Sequence, residues 1–184
     1  MSEHTEGAAA RVPQDLRNTA AQIPPEILEV ALGVSRVFAT LDEEAARRYI
    51  APDFVDHEAS PGVGGGPQGY LTTARYMRTA FSEATWQPDD FFAFGDRFAV
   101  RVTFSGRHTG EFLGVPPTGN EVRVQHLHFY RVAGGQAVEH WGARDELKLL
   151  RQIGVFTPDH PTPADAGAAL FAAEQAAGAP SLAG

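Results

Sequence analysis

Three histidines and one carboxylate carry the strongest chemical signal in this chain. His126 and His128 lie two residues apart in a stretch of alternating character, so both rings project to one face of a strand. Val122, Val124, Tyr130 and Val132 share that face, which marks it as the inward, apolar one. Imidazoles that point into an apolar concavity need partners, because an unpaired buried polar group is costly. The turn at Gly134–Gly135 leads into a further strand that can supply one. An even register places His140 opposite His128 and Gly142 opposite His126, with all of them on one face. A one-residue slip would oppose His128 to Trp141 instead. The even register is the expectation. Asp56 and His57 follow the second predicted helix and close over the same space.

The cluster of His126, His128, His140, Asp56 or His57, and Tyr130 suits proton transfer. Imidazole accepts or donates a proton near neutral pH, and a carboxylate can orient it or act as the base. Proton abstraction beside a carbonyl, with imidazole donors holding the enolate, is the reaction class these residues fit. The gap left by Gly142 and the apolar walls would admit a flat substrate. Candidate substrate-binding residues are His57, Tyr130, Trp141, Phe104, Tyr70 and Asp145. Trp141 falls on the opposite face in the favoured register, and Asp145–Glu146 also reads as a helix N-cap pair. Three His and a carboxylate are also a ligand set for zinc or iron. No HExxH or similar motif accompanies them, so no metal is assigned; His126, His128 and His140 are the ligands one would use. His108, between a strand and Gly110, reads as structural. The segment SPGVGGGP at 60–67 lacks the GK[ST] ending of a phosphate cradle and follows no clear strand. Its glycines suit a mobile rim over a pocket.

The chain that must position these groups has 184 residues, 43% of them hydrophobic and 10% aromatic, enough to bury a core. Its net charge of −8, pI near 5.3 and lack of any Lys/Arg cluster argue against nucleic acid or an anionic membrane as partner. The absence of Cys excludes disulfides, thiolate metal sites and a thiol nucleophile. No apolar run approaches the roughly 20 residues of a membrane span. The N-terminal segment lacks the basic and apolar regions of a signal peptide. A cytoplasmic protein is expected.

Aromatic residues locate the domain, since 17 of the 18 fall between Phe38 and Phe156. Residues 1–23 read as a flexible extension, 24–156 as the domain, and 157–184 as an Ala/Pro-rich tail with a short helix around 164–177. His4 and His160 fall in the appendages. Pro24–Pro25 opens a helix carrying Ile27, Val30, Val34, Phe38 and Leu41 at helical spacing. Asp42 caps a second helix over 43–50, which Pro52 stops. Pro67 opens a third, with Tyr70, Ala74, Met77 and Phe81 on one face. After Pro88 the period becomes two: Phe91–Phe94, a Gly95–Asp96 turn and Arg97–Ser105 form a hairpin. Two more strands follow, then a short helix from Glu146 to Ile153 ended by Gly154. Helices followed by consecutive hairpins indicate an α+β fold with helices on one face of a curved antiparallel sheet.

Four segments together resemble the SnoaL-like polyketide cyclases, or ester cyclases, of the nuclear-transport-factor-like superfamily. They are YIAPDFVDH at 49–57, GRHTGEFLGVPPTGNEV at 106–122, HFYRVAGGQAVEHWGARDEL at 128–147 and LLRQIGVF at 149–156. The resemblance spans about 25–156. It implies a cone-shaped α+β barrel, with the N-terminal helices on the concave face of the sheet and a pocket in the cone. It also implies a homodimer or homotetramer, a small polyketide-like substrate and no organic cofactor. The best-understood members close a ring of an aromatic polyketide ester by intramolecular aldol condensation, in antibiotic biosynthesis. A base there removes the proton between two carbonyls while imidazole and amide groups stabilise the enolate. By motif position, the family's pocket His falls on His128, a neighbouring pocket amide on His126 and a loop Asn on Asp56. The family's acid/base Asp falls on Gly142. Proton transfer would then pass to Asp56, His128 or His140. The resemblance points to His128 as enolate stabiliser or acid, Asp56 as base or orienter, and His126 and His140 as the polar end of the pocket. Superfamily relatives also include isomerases, epoxide hydrolases and hydroxylation partners, and a non-catalytic binding module is the remaining alternative.

Overall fold

The structure is a computed structural model and describes residues 23–155. Apart from Ile23, the extension, the tail with its predicted helix, His4 and His160 lie outside the described residues. Helix α1 (Pro25–Thr40) opens on its proline, as expected of a residue with a preset φ and no N–H to satisfy. Helix α2 (Glu43–Tyr49) starts where the Asp42 side chain accepts the Ala45 N–H at 2.9 Å. It ends before Pro52, which instead lies inside strand β1 (Ile50–Asp56). Helix α3 (Gly66–Ala80) follows, then strands β2 (Phe81–Phe94), β3 (Arg97–His108), β4 (Glu121–Ala133) and β5 (Gln136–Arg144), and helix α4 (Glu146–Gln152). Phe81 begins β2 rather than ending α3, and it is still fully buried.

The sheet order is β1-β5-β4-β3-β2. Strands β2 to β5 form the expected antiparallel meander. Strand β1 was not expected; it adds at the edge, parallel to β5, and makes the sheet mixed. An edge strand tolerates Pro52, which has no N–H for a ladder. Register shifts in β2, after Ser82 and after Pro88, bend that strand, and Glu83 takes a positive φ of 53° there.

Gly134 and Gly135 both have positive φ, 57° and 75°, as a tight hairpin turn requires. The turn pairs Ala133 with Gln136 and Val132 with Ala137; a bulge before Val132 then restores an even register. That register is two residues away from the expected one. His128 faces Gly142, Tyr130 faces His140 and His126 faces Arg144. The predicted pairs His128–His140 and His126–Gly142 are therefore corrected, although the predicted face holds.

Helices α1 to α3 pack on one side of the sheet against Phe98, Val100, Val102, Tyr130 and Val132. A second apolar cluster joins Phe81, Phe104, Phe112, Val124, Leu149 and Ile153 and fastens α4 to the end of the meander. Between these two clusters the inner face of β4 and β5 lines a cavity.

Candidate active site

Three cross-strand tiers form the polar wall of this cavity: His126 with Arg144, His128 with Gly142, and Tyr130 with His140. Strand β1 brings Asp56 beside His140, its partner in the parallel ladder. The turn after β1 is held close, since the His57 N–H donates to the His140 carbonyl at 3.0 Å. Gly66, with φ of 67°, lets the following loop pass over β1, where a Cβ would meet the Pro52 carbonyl oxygen at 2.6 Å.

His140 is the middle of a relay. Its Nδ1 lies 2.8 Å from Asp56 Oδ1, and its Nε2 lies 2.9 Å from His128 Nδ1. An ionised carboxylate only accepts, so the proton on His140 sits at Nδ1. In the neutral ring its Nε2 then accepts from His128 Nδ1–H. This ordering leaves the lone pair of His128 on Nε2, the base form of the ring. Asp56 also accepts the Glu58 N–H at 3.0 Å. Burial pushes the Asp56 carboxyl up, but the His140 hydrogen bond, the Glu58 N–H and the nearby Arg144 charge carry it below its ordinary value.

The neighbouring histidines are kept neutral. Burial, then the Arg144 charge, lowers His126 to about 4. Burial, then His140, His126 and Arg144, lowers His128 well below its ordinary value. His126 stacks on Phe104 at 5.5 Å, and its Nε2 is buried with no hydrogen-bond partner. Deeper in, the Tyr130 and Tyr70 hydroxyls meet at 2.8 Å, and burial raises both pKa values.

Of the residues singled out from the sequence, His126, His128, His140, Asp56, Tyr130, Tyr70 and Asp145 line the cavity. The Asp145 carboxylate is also engaged as the α4 cap, accepting the Lys148 N–H at 3.1 Å. Phe104 is fully buried behind His126 and does not line the cavity. His57 and Trp141 stack on one another, 4.6 Å apart and nearly parallel, and are not among the cavity-lining residues. Trp141 pairs with Phe129, on the face away from the cavity, as the even register requires. His108 lies apart, fully buried, with Nδ1 at 3.1 Å from Thr118 Oγ1; it fixes the 109–120 loop. Residues of the 58–60 segment, Glu58 and Ser60, reach the rim. Sequence reading missed Arg144 and Trp86 in the lining. Arg144 was within reach, because it continues the even-numbered face of β5.

Both ring nitrogens of His140 are taken by Asp56 and His128, so His126, His128 and His140 do not converge on one point. Among the described residues, no group of three or more His, Asp or Glu is arranged to hold a metal ion.

The family model for SnoaL-like polyketide cyclases matches residues 29–153. The chain belongs to this family. The nogalonic acid methyl ester cyclase of Streptomyces nogalater is 28% identical over 113 residues, which is 60% of this chain and 84% of that protein. The aklanonic acid methyl ester cyclase DnrD of Streptomyces peucetius is 28% identical over 107 residues, 58% of this chain and 72% of that one. The structure of IdmH from Streptomyces antibioticus superposes with a TM-score of 0.61 at 33% identity, covering 69% of this chain and 97% of IdmH. This SnoaL-like chain is thus an enzyme of the cyclase type, and ring closure is favoured over the isomerase, hydrolase and binding-module readings. The resemblance implied an acid/base Asp where this chain has Gly142. A Cβ there would stand 3.3 Å from both His128 Nδ1 and His140 Cε1, against the hydrogen bond that joins the two rings.

Proposed function

We propose that this enzyme closes a ring in a polyketide-like carbonyl substrate by intramolecular aldol condensation, without a cofactor, and that His128 is the base. The Asp56–His140–His128 relay carries this reading. His128 Nε2 takes the proton from the carbon between two carbonyls. The electron pair left on that carbon forms the new C–C bond to a ketone within the same molecule. The resulting alkoxide takes its proton back from His128, so no net proton is consumed. Asp56 acts through His140: it fixes the ring tautomers and offsets the positive charge that His128 acquires. Its Oδ1 accepts from both His140 and the Glu58 N–H, and its carboxyl lies below the ordinary value, which makes it a weak base and favours orienter over base for this residue. His126, neutral and on the cavity wall, is the candidate donor to the enolate oxygen.

The test is turnover of an aromatic polyketide diketone, offered both as acid and as methyl ester. His128→Ala should lower kcat at least about 100-fold, and Asp56→Ala by a smaller factor. Unchanged turnover in both variants would remove the assignment.

Self-association is proposed through the other side of the sheet. Phe92, Ala99, Phe129 and Trp141 run across β2 to β5 in register, and Phe92, Phe94, Leu127, Phe129 and Val55 are exposed. An apolar surface of this kind is suited to a symmetric partner, as a homodimer or within a homotetramer. Among the described residues no helix is long and apolar enough to cross a membrane; a cytoplasmic location is proposed.

A further inference from the structure

Arg144 ends β5 at the cavity wall, directly across from His126 and one tier from His128. It is half-buried, and its guanidinium makes no hydrogen bond and no ion pair among the described residues. Most other arginines near the ladder are paired: Arg101 with Asp89 and Asp90, Arg107 with Glu121, and Arg131 with Glu139. None of the four acids that line the cavity, Asp56, Glu58, Asp145 and Glu146, forms an ion pair with Arg144. Asp56 is held by His140 and the Glu58 N–H, and Asp145 caps α4. Asp56 offsets the charge of Arg144 at a distance but accepts none of its N–H groups.

Water can satisfy Arg144 while the cavity is open. A flat substrate that fills the cavity displaces this water, and the guanidinium donors then need another acceptor or they cost affinity. A neutral ester offers one weak carbonyl acceptor at that point. A carboxylate offers two charged oxygens that match the fork of an arginine side chain.

We infer that Arg144 is a carboxylate-binding corner of the cavity, so that the substrate of this enzyme enters as a free acid rather than as a methyl ester. The inference rests on the cavity being the substrate site, as proposed above, but not on the reaction that follows. It separates this chain from the relatives named as methyl ester cyclases. It also sets the preceding step: no esterifying enzyme need act on that carboxyl group before ring closure.

The experiment is calorimetric binding of anthraquinone-2-carboxylate and of its methyl ester to the full chain, without turnover. The wild type should bind the acid at least about tenfold more tightly than the ester. Arg144→Gln should erase that preference, and Arg144→Lys should keep part of it, as a charge without the fork. Circular dichroism melting checks that the variants fold. Equal binding of acid and ester by the wild type, including no measurable binding of either, overturns the inference. So does a preference that survives in Arg144→Gln. Loss of ring closure in His128→Ala tests the reaction separately, because this binding readout does not depend on the base.

Discussion

His128 and Gly142 face each other across the β4–β5 ladder, and the missing side chain of one makes room for the hydrogen bond of the other. The two rings joined there, His128 and His140, are in turn tied to Asp56. The family resemblance implies an acid/base Asp at the Gly142 position. In this chain a carboxylate reaches the same neighbourhood from β1 instead, through an additional imidazole.

Gly142→Asp should therefore lower turnover rather than raise it, even though it introduces the residue that the resemblance implies. The new side chain intrudes on the His128–His140 contact, where even a Cβ is at 3.3 Å. A fall of at least about tenfold in kcat is expected, with Gly142→Ala falling less. Steady-state kinetics on folded variants decide this, and a gain of activity in Gly142→Asp would show that the relay is dispensable.

The pH profile follows from the state of His128. Its pKa is held well below the ordinary imidazole value, so the ring is already the free base at pH 6.5. The acid limb of kcat/KM should lie below pH 6.5, with a plateau through neutrality. A limb centred at or above 6.5 would mean that some other group is titrating as the base.

Stability should also fall in acid, for a reason centred on His126. Its folded pKa is about 4 against an unfolded value near 6.5. Between those values the unfolded chain binds a proton that the folded chain refuses. Stability is thus complete above pH 6.5 and is lost progressively as the pH falls toward 4, by roughly 3 kcal/mol from this ring. His126→Phe should reduce the fall of the urea midpoint across that window without abolishing it, because His128 is also held below its ordinary value. An unchanged pH slope would place the acid sensitivity elsewhere.

The apolar outer face predicts an oligomer that a single charge can break. Light scattering after size exclusion should show more than one subunit for the wild type and a monomer for Phe129→Glu. A monomeric wild type would leave the exposed Phe92, Phe94 and Phe129 without the proposed role.

Much of this fold is visible in short stretches of sequence because its signals are local. Asp42 three residues before Ala45, Gly134–Gly135 between alternating strands, and Asp145 ahead of α4 each act within one turn. The shared face of His126, His128 and His140 follows from strand period alone. Strand β1 escaped because its ladder partner lies in β5, 84 residues away between Asp56 and His140, and because Pro52 reads locally as a stop. The register erred by two residues because a bulge leaves no residue signature at Arg131–Val132. His57 was placed near substrate by its position after the second helix and Trp141 by type, whereas their stacking is a matter of which face each occupies. Arg144 was overlooked because an arginine at a strand end ordinarily reads as a solvated charge.

The edge position of β1 also bears on how activity is acquired. The meander β2–β5 closes through sequence neighbours, while β1 must dock across most of the chain, and distant pairings form late. A refolding molecule can thus possess its cavity and all three imidazoles before Asp56 arrives. Until it does, nothing selects the tautomer of His140, and the lone pair of His128 is not fixed on the substrate side. Recovery of turnover should lag behind recovery of intrinsic fluorescence, which makes catalysis a clock for the docking of the last strand.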